Sequence, residues 1–213
     1  PIGNLQDITE RAREVLCSVD VVLCEDTRVT RNLLKHIGST ARMIAVHHHT
    51  SPAALDRVLQ EVANGLAAAY VSDAGTPGIS DPGGKVVELA YAKGIQVFGI
   101  PGPSALTTAL SISGFPADRF LFLGFLPHKK GRETLFKRIA ETEETVVLFE
   151  SPHRIIRTLD SLLRMNLNKE VAVCREITKI HESVVRGSIE HVVKHFTDHP
   201  DQVRGEVVII ISA

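Results

Sequence analysis

Four glycines and two prolines fall between Ser72 and Gly84, in a segment that carries Asp73, Gly75, Thr76, Pro77, Gly78, Ile79, Ser80 and Asp81. At that density the backbone is held in conformations that most residues avoid, and bare main chain is left open to close approach by a ligand. The apolar run Leu66 to Val71 precedes the segment and the periodic stretch Val86 to Lys93 follows it. The loop therefore sits at the carboxyl end of a strand, where open α/β sheets bind ligands. A second such loop, Ile100 to Ala105, contains Pro101, Gly102, Pro103 and Ser104. Two loops of this kind after neighbouring strands suit one small molecule. Neither carries the Walker spacing G-x-x-x-x-G-K-[ST] or G-x-G-x-x-G, which weakens triphosphate and dinucleotide readings. Lys85 follows Gly83 and Gly84, but no Ser or Thr follows it. A tight structural connection would use the same glycines and prolines.

Charged clusters end other strands. Glu25, Asp26 and Arg28 suit binding or activation of a polar substrate; a helix start capped by Asp26 or Thr27, with Arg28 paired to an acid, explains them equally well. In Glu150 to Arg154, Ser151 suits a cap and Pro152 the first helical position, leaving His153 and Arg154 unexplained. The G-x-S-x-G elbow of a serine hydrolase is absent. Arg175, Glu176 and Lys179 form either a surface charge network or a grip on a phosphate-bearing substrate. His128, Lys129, Lys130 and Arg132 make a short basic run able to contact phosphate. His47, His48 and His49 resemble a metal cluster, but consecutive residues of a strand end point in alternating directions. No metal is assigned.

A helix is expected over Gln6 to Val19, capped by Asp7 with Glu10. Strand Val21 to Cys24, helix Thr30 to His36, strand Met43 to Val46, and a helix opened by Ser51 and Pro52 come next. The strand ending at Val71, a helix to Gly94, strand Ile95 to Ile100 and a helix to about Ser113 complete the alternation. It argues for a mostly parallel sheet with helices on both faces. Gly114 to Asp118 breaks the rhythm and divides the chain into domains 1–115 and 118–213. Beyond the break come strand Phe120 to Phe125, helix Arg132 to Ala140, strand Thr145 to Glu150, helix Pro152 to Met165 and strand Glu170 to Arg175. Strand Ser183 to Arg186, helix Ile189 to Phe196 and strand Glu206 to Ser212 end the series. Strands as close as those near 175 and 184 imply a mixed sheet.

The 213 residues, 44% hydrophobic and 23% charged, fit a soluble α/β enzyme of one large domain or two small ones. No apolar run spans a membrane and no signal peptide is visible. Cys17, Cys24 and Cys174 lack metal-ligand spacing and read as reduced thiols of a cytoplasmic protein. The net charge of −1 requires any nucleic-acid binding to use local patches.

In one order along the chain stand Pro1 to Leu5, Glu25 to Arg28, Ser72 to Gly83, Pro101 to Ala105, Gly124 to Pro127, Glu150 to Arg154 and Arg175 to Lys179. This series resembles the ribosomal RNA small subunit methyltransferase I family, within the tetrapyrrole methylase-like superfamily of S-adenosylmethionine-dependent enzymes, over essentially the whole chain. The resemblance implies two α/β domains with the cofactor in a cleft between them, and a homodimer. It also implies methyl transfer to the ribose 2′-hydroxyl of a cytidine in the decoding region of 16S rRNA, on free rRNA or the 30S particle. It places Pro1, Asp73, Gly75, Thr76, Pro77, Ile79, Ser80, Ser104 and Ala105 around S-adenosylmethionine. Asp26, Glu176 and Lys179 are alternative candidates for the group that assists the hydroxyl. Arg28, Arg31, Lys129, Lys130, Arg132, Arg154 and Arg175 are the candidate RNA contacts. Family members begin with one further strand and many carry further helical residues at the other end, so the chain is expected to lack a few natural N-terminal residues. Two other readings share the fold: a methylase of a tetrapyrrole precursor, which the scarcity of aromatic residues disfavours, and a non-catalytic RNA-binding assembly factor.

Overall fold

A computed structural model describes residues 1–47 and 50–213; of the three-histidine run, His48 and His49 lie outside the described residues. The chain divides into two compact units, Pro1–Ser104 and Ala105–Ala213.

The first unit holds a parallel sheet of three strands, β1 (Val21–Cys24), β2 (Arg42–Ala45) and β3 (Ala68–Val71), in the order β2-β1-β3. Four helices accompany it: α1 (Glu10–Ser18), α2 (Thr27–Ile37), α3 (Pro52–Ala63) and α4 (Gly83–Ala92). Alternation along β1 sends side chains to both faces. Val21 and Leu23 pack with Leu55 and Leu59 of α3 and Val86 and Ala90 of α4. Val22 packs with Leu16 of α1 and with Leu34 and Ile37 of α2. Helices thus cover both faces, as the alternation implied.

The second unit adds α5 (Ala105–Ser113), β4 (Phe120–Phe125), α6 (Arg132–Glu141), β5 (Thr145–Glu150), α7 (Ile155–Leu163), β6 (Glu170–Arg175), β7 (Ser183–Ser188), α8 (Ile189–Asp198) and β8 (Val207–Ile211). Its sheet runs β4-β5-β8-β6-β7. Only β4 and β5 are parallel; β8 enters antiparallel between β5 and β6, and β7 pairs antiparallel with β6. One face carries Val146, Leu148, Val171, Val173 and Ile209 against Phe136, Leu159 and Phe196 from the helices. On the other, the buried Cys174 thiol donates to the Ala109 carbonyl of α5, and burial pushes that thiol up to about 12.

Some boundaries differ from the sequence reading. The first helix begins at Glu10 because Thr9, rather than Asp7, caps it, its hydroxyl accepting from Ala12 N; Leu5–Asp7 is a separate 3-10 turn. Asp26 caps α2, so that helix starts at Thr27. Ser151 and Pro152 form a turn ahead of α7 instead of opening it. Ile95 to Ile100 has no ladder partner among the described residues, although Ile95 and Val97 still pack on the core. The division into units comes before α5, earlier than the break read at Gly114 to Asp118, since α5 packs on β6 and β8.

Candidate functional site

Loops at the carboxyl ends of β1 and β3 meet in the first unit. The Asp73 carboxylate accepts from Asp26 N at 3.0 Å, tying the loop after β3 to the one after β1. Gly75 N donates to the Pro1 carbonyl at 3.0 Å. Gly75 has φ +75°, and a Cβ there would meet Ile2 Cγ2 at 3.3 Å and the Pro103 carbonyl at 3.8 Å. Pro1, Asp26, Asp73, Gly75 and Pro103 are therefore brought together. The Thr9 hydroxyl, 3.3 Å from the Pro101 carbonyl, anchors the second loop.

Asp81 gives the glycine-rich loop its shape, and the sequence reading missed it. One carboxylate oxygen accepts from Gly83 N at 2.7 Å and from the Tyr70 hydroxyl at 3.2 Å; the other accepts from Gly78 N at 2.7 Å. Burial first, then the Asp81 charge, raises the Tyr70 phenol, which stays a donor. The signal available in the sequence was an aspartate two residues before a glycine, a side chain prone to bond its own backbone. Thr76, Pro77, Gly78, Ile79 and Ser80 are all exposed, with Ser80 at φ +63°. Ser104 ends the first unit and Ala105 is the first residue of α5. The exposed residues Thr76 to Ser80 thus lie in a loop whose ends are tied to Asp81 through Gly78 N and Gly83 N.

Among the assisting candidates, Asp26 is heavily engaged. It accepts from Arg28 N at 2.8 Å and from the guanidinium at 2.6 Å. Those bonds hold its carboxyl at about 2. Glu176 and Lys179 form a pair in the second unit, just beyond β6. Glu176 Oε1 accepts from Lys179 Nζ at 3.0 Å and from Glu206 N at 2.8 Å. Burial pushes the Glu176 carboxyl up, but the Glu206 backbone, Lys179 and Arg175 together bring it below the usual value. Burial likewise pulls the Lys179 ammonium down, yet Glu176 and Glu206 outweigh it and hold it above the ordinary lysine value. Lys179 is consequently a cation rather than a base.

The basic residues separate into two groups. Arg28, Arg31, Lys129 and Lys130 are exposed. Arg132, Arg154 and Arg175 are turned inward and do not present themselves to a phosphate. Arg132 donates to the Thr158 hydroxyl at 2.8 Å and Arg154 pairs with the buried Glu150 carboxylate at 2.5 Å. Thr158 donates to that carboxylate at 2.6 Å, and Ser151 N at 2.8 Å. Arg175 donates to the Ser183 hydroxyl and the His181 carbonyl. Among the described residues, no group of three His, Cys, Asp or Glu side chains is placed to hold a metal, and no helix is long and apolar enough to cross a membrane.

The model of the family Tetrapyrrole (Corrin/Porphyrin) Methylases matches residues 1–193. Ribosomal RNA small subunit methyltransferase I of Thermotoga maritima is 41% identical over 212 residues, which is 100% of this chain and 95% of that protein. The protein of the same name from Escherichia coli O157:H7 is 40% identical over 214 residues, covering 100% of this chain and 75% of its own. Two solved structures share the fold. Diphthine synthase superposes with a TM-score of 0.76 at 15% identity, over 99% of this chain and 86% of its own. Uroporphyrin-III C-methyltransferase from Thermus thermophilus, complexed with S-adenyl homocysteine, gives 0.65 at 20% identity, over 99% and 93%.

Proposed function

We propose, for a chain that belongs to the tetrapyrrole (corrin/porphyrin) methylase family, that it methylates the ribose 2′-hydroxyl of a cytidine in the decoding region of small-subunit rRNA, with S-adenosylmethionine as donor. The identity of about 40% along the whole chain to proteins named for small-subunit rRNA methylation carries this reading. Identity to the tetrapyrrole-modifying structures is 20% or less, which favours the rRNA acceptor over a tetrapyrrole precursor. A homodimer working in the cytoplasm goes with the same reading.

The exposed residues Thr76 to Ser80, with Gly75 before them and the Pro103 carbonyl close to Gly75, are the part of this chain suited to the donor, whose sulfonium supplies an activated methyl group; Ser104 follows Pro103 in the second loop. Glycine lets main-chain amides and carbonyls reach such a ligand directly, and the Asp81 bonds fix them before it arrives. Holding the acceptor oxygen in line with the methyl carbon contributes most of what the protein must supply. The attacking hydroxyl becomes strongly acidic as its bond to carbon forms, so a weak carboxylate base is enough to take the proton. Asp26 and Glu176 both qualify, and Lys179 serves to orient Glu176. Arg28, Arg31, Lys129 and Lys130 hold the RNA phosphates.

Mass spectrometry of rRNA nucleosides, with and without the gene, tests the acceptor: a 2′-O-methylated cytidine is expected to disappear with the gene, and its persistence refutes the assignment. Thr76→Phe and Ser104→Phe test the donor site. Both are expected to weaken S-adenosylhomocysteine binding at least tenfold by calorimetry; unchanged affinity in both moves the site elsewhere.

A further inference from the structure

β4 is an edge strand, and its last side chain is re-aimed. Phe122 lies opposite Val147 and Phe125 opposite Phe149, so three steps on β4 match two on β5. In a regular strand, residues three apart point to opposite faces. The extra residue falls at Gly124, whose φ of +60° is one that a side chain would resist, and the bulge returns Phe125 to the face that carries Phe122. Both rings rest on Phe149, with centroids 4.9 Å and 5.6 Å away. Phe122 and Phe149 are half-buried, whereas Phe125 remains 55% exposed.

The backbone that follows is clamped. Arg154 donates to the Leu126 carbonyl at 2.8 Å and Arg132 to that of Pro127 at 3.4 Å. Exposed His128, Lys129 and Lys130 come next. A flat ring backed by two others, on a fixed backbone and only four and five residues before two exposed lysines, meets the requirements of single-stranded RNA: a stacking face for an unpaired base and cations for the adjoining phosphates.

We propose that Phe125 stacks on an unpaired nucleobase of the RNA substrate while Lys129 and Lys130 hold the flanking phosphates. This rests on RNA being the methyl acceptor. The chain has no tryptophan, so Phe125→Trp places a single indole at the stacking position. Its emission is expected to be quenched on titration with a single-stranded fragment of small-subunit rRNA, with methyl transfer retained. Phe125→Leu keeps an apolar side chain without a π face. It is expected to weaken binding of that fragment roughly tenfold and to raise KM for RNA, with kcat and S-adenosylhomocysteine affinity unchanged. An unquenched indole, wild-type RNA affinity in Phe125→Leu, or a change in self-association alone overturns the proposal. If the wild-type protein transfers no methyl group to small-subunit rRNA, the parent reading fails on that assay, while indole quenching still decides the stacking.

Discussion

Gly83 and Gly84 are adjacent in the first turn of α4, yet only one of them has room for a side chain. A Cβ on Gly83 would lie 2.6 Å from the Tyr70 ring, 2.9 Å from the Asp81 carboxylate and 2.9 Å from Gly78 N; at Gly84 nothing lies within 4 Å. Gly83→Ala must therefore displace the groups that shape the glycine-rich loop, at a cost of about 1–3 kcal/mol. Gly84→Ala replaces a poor helix former in open space and gains about 0.5–1 kcal/mol. Thermal melting should separate the two in sign, and calorimetry with S-adenosylhomocysteine should show weakened binding only in Gly83→Ala. At the same scale, Asp26 has a directed pH dependence. Its folded pKa of about 2 lies below the unfolded value near 3.9, so its contribution to stability is complete above the unfolded value and is lost as pH falls through about 2. An NMR titration of the Asp26 carboxyl carbon should have its midpoint there; a midpoint near 4 would mean that the Arg28 pairing is absent in solution.

Helices α6 and α7 meet through one hydroxyl. Thr158 donates to Glu150 at the end of β5 and accepts from Arg132 at the start of α6, so a single residue joins three elements around buried charge. Thr158→Val preserves shape and removes both bonds, leaving a buried carboxylate and a buried guanidinium each short of a partner. The expected loss is about 2–4 kcal/mol, measurable as a lowered midpoint in urea unfolding with an unchanged slope. Such a network is what a single sequence conceals. Arg132 and Arg154 stand in basic or polar runs and read as phosphate contacts, because what buries them comes from residues as far along the chain as Thr158 and Leu126. Strands β4, β5 and β6 were legible to the residue, since their apolar runs are bounded by charges and turns. The start of α1 was not: Asp7 and Thr9 are both good caps, and tertiary packing chose Thr9. The glycine-rich loop stood out by its composition, whereas the part Asp81 plays in shaping it became visible only with its three bonds.

Taken over the whole molecule, a formal charge of −1 provides no general attraction for a polyanion. Under the proposed function, affinity for rRNA comes from local cations, and inward-turned Arg132, Arg154 and Arg175 shorten the candidates read from the sequence to Arg28, Arg31, Lys129 and Lys130. Arg28 is partly neutralised by Asp26 at 2.6 Å, so the lysine pair carries a larger share of the phosphate contacts. Each neutralised phosphate contributes roughly 0.7 to 0.9 to the slope of log K against log salt. Binding of a small-subunit rRNA fragment should therefore fall with salt at a slope of no more than about 4, and Lys129→Ala/Lys130→Ala should reduce it by about 1–2. Arg175→Lys, which keeps the charge at an inward position, should leave the slope unchanged. A slope well above 4, or one indifferent to the lysine pair, would mean that groups other than these hold the RNA.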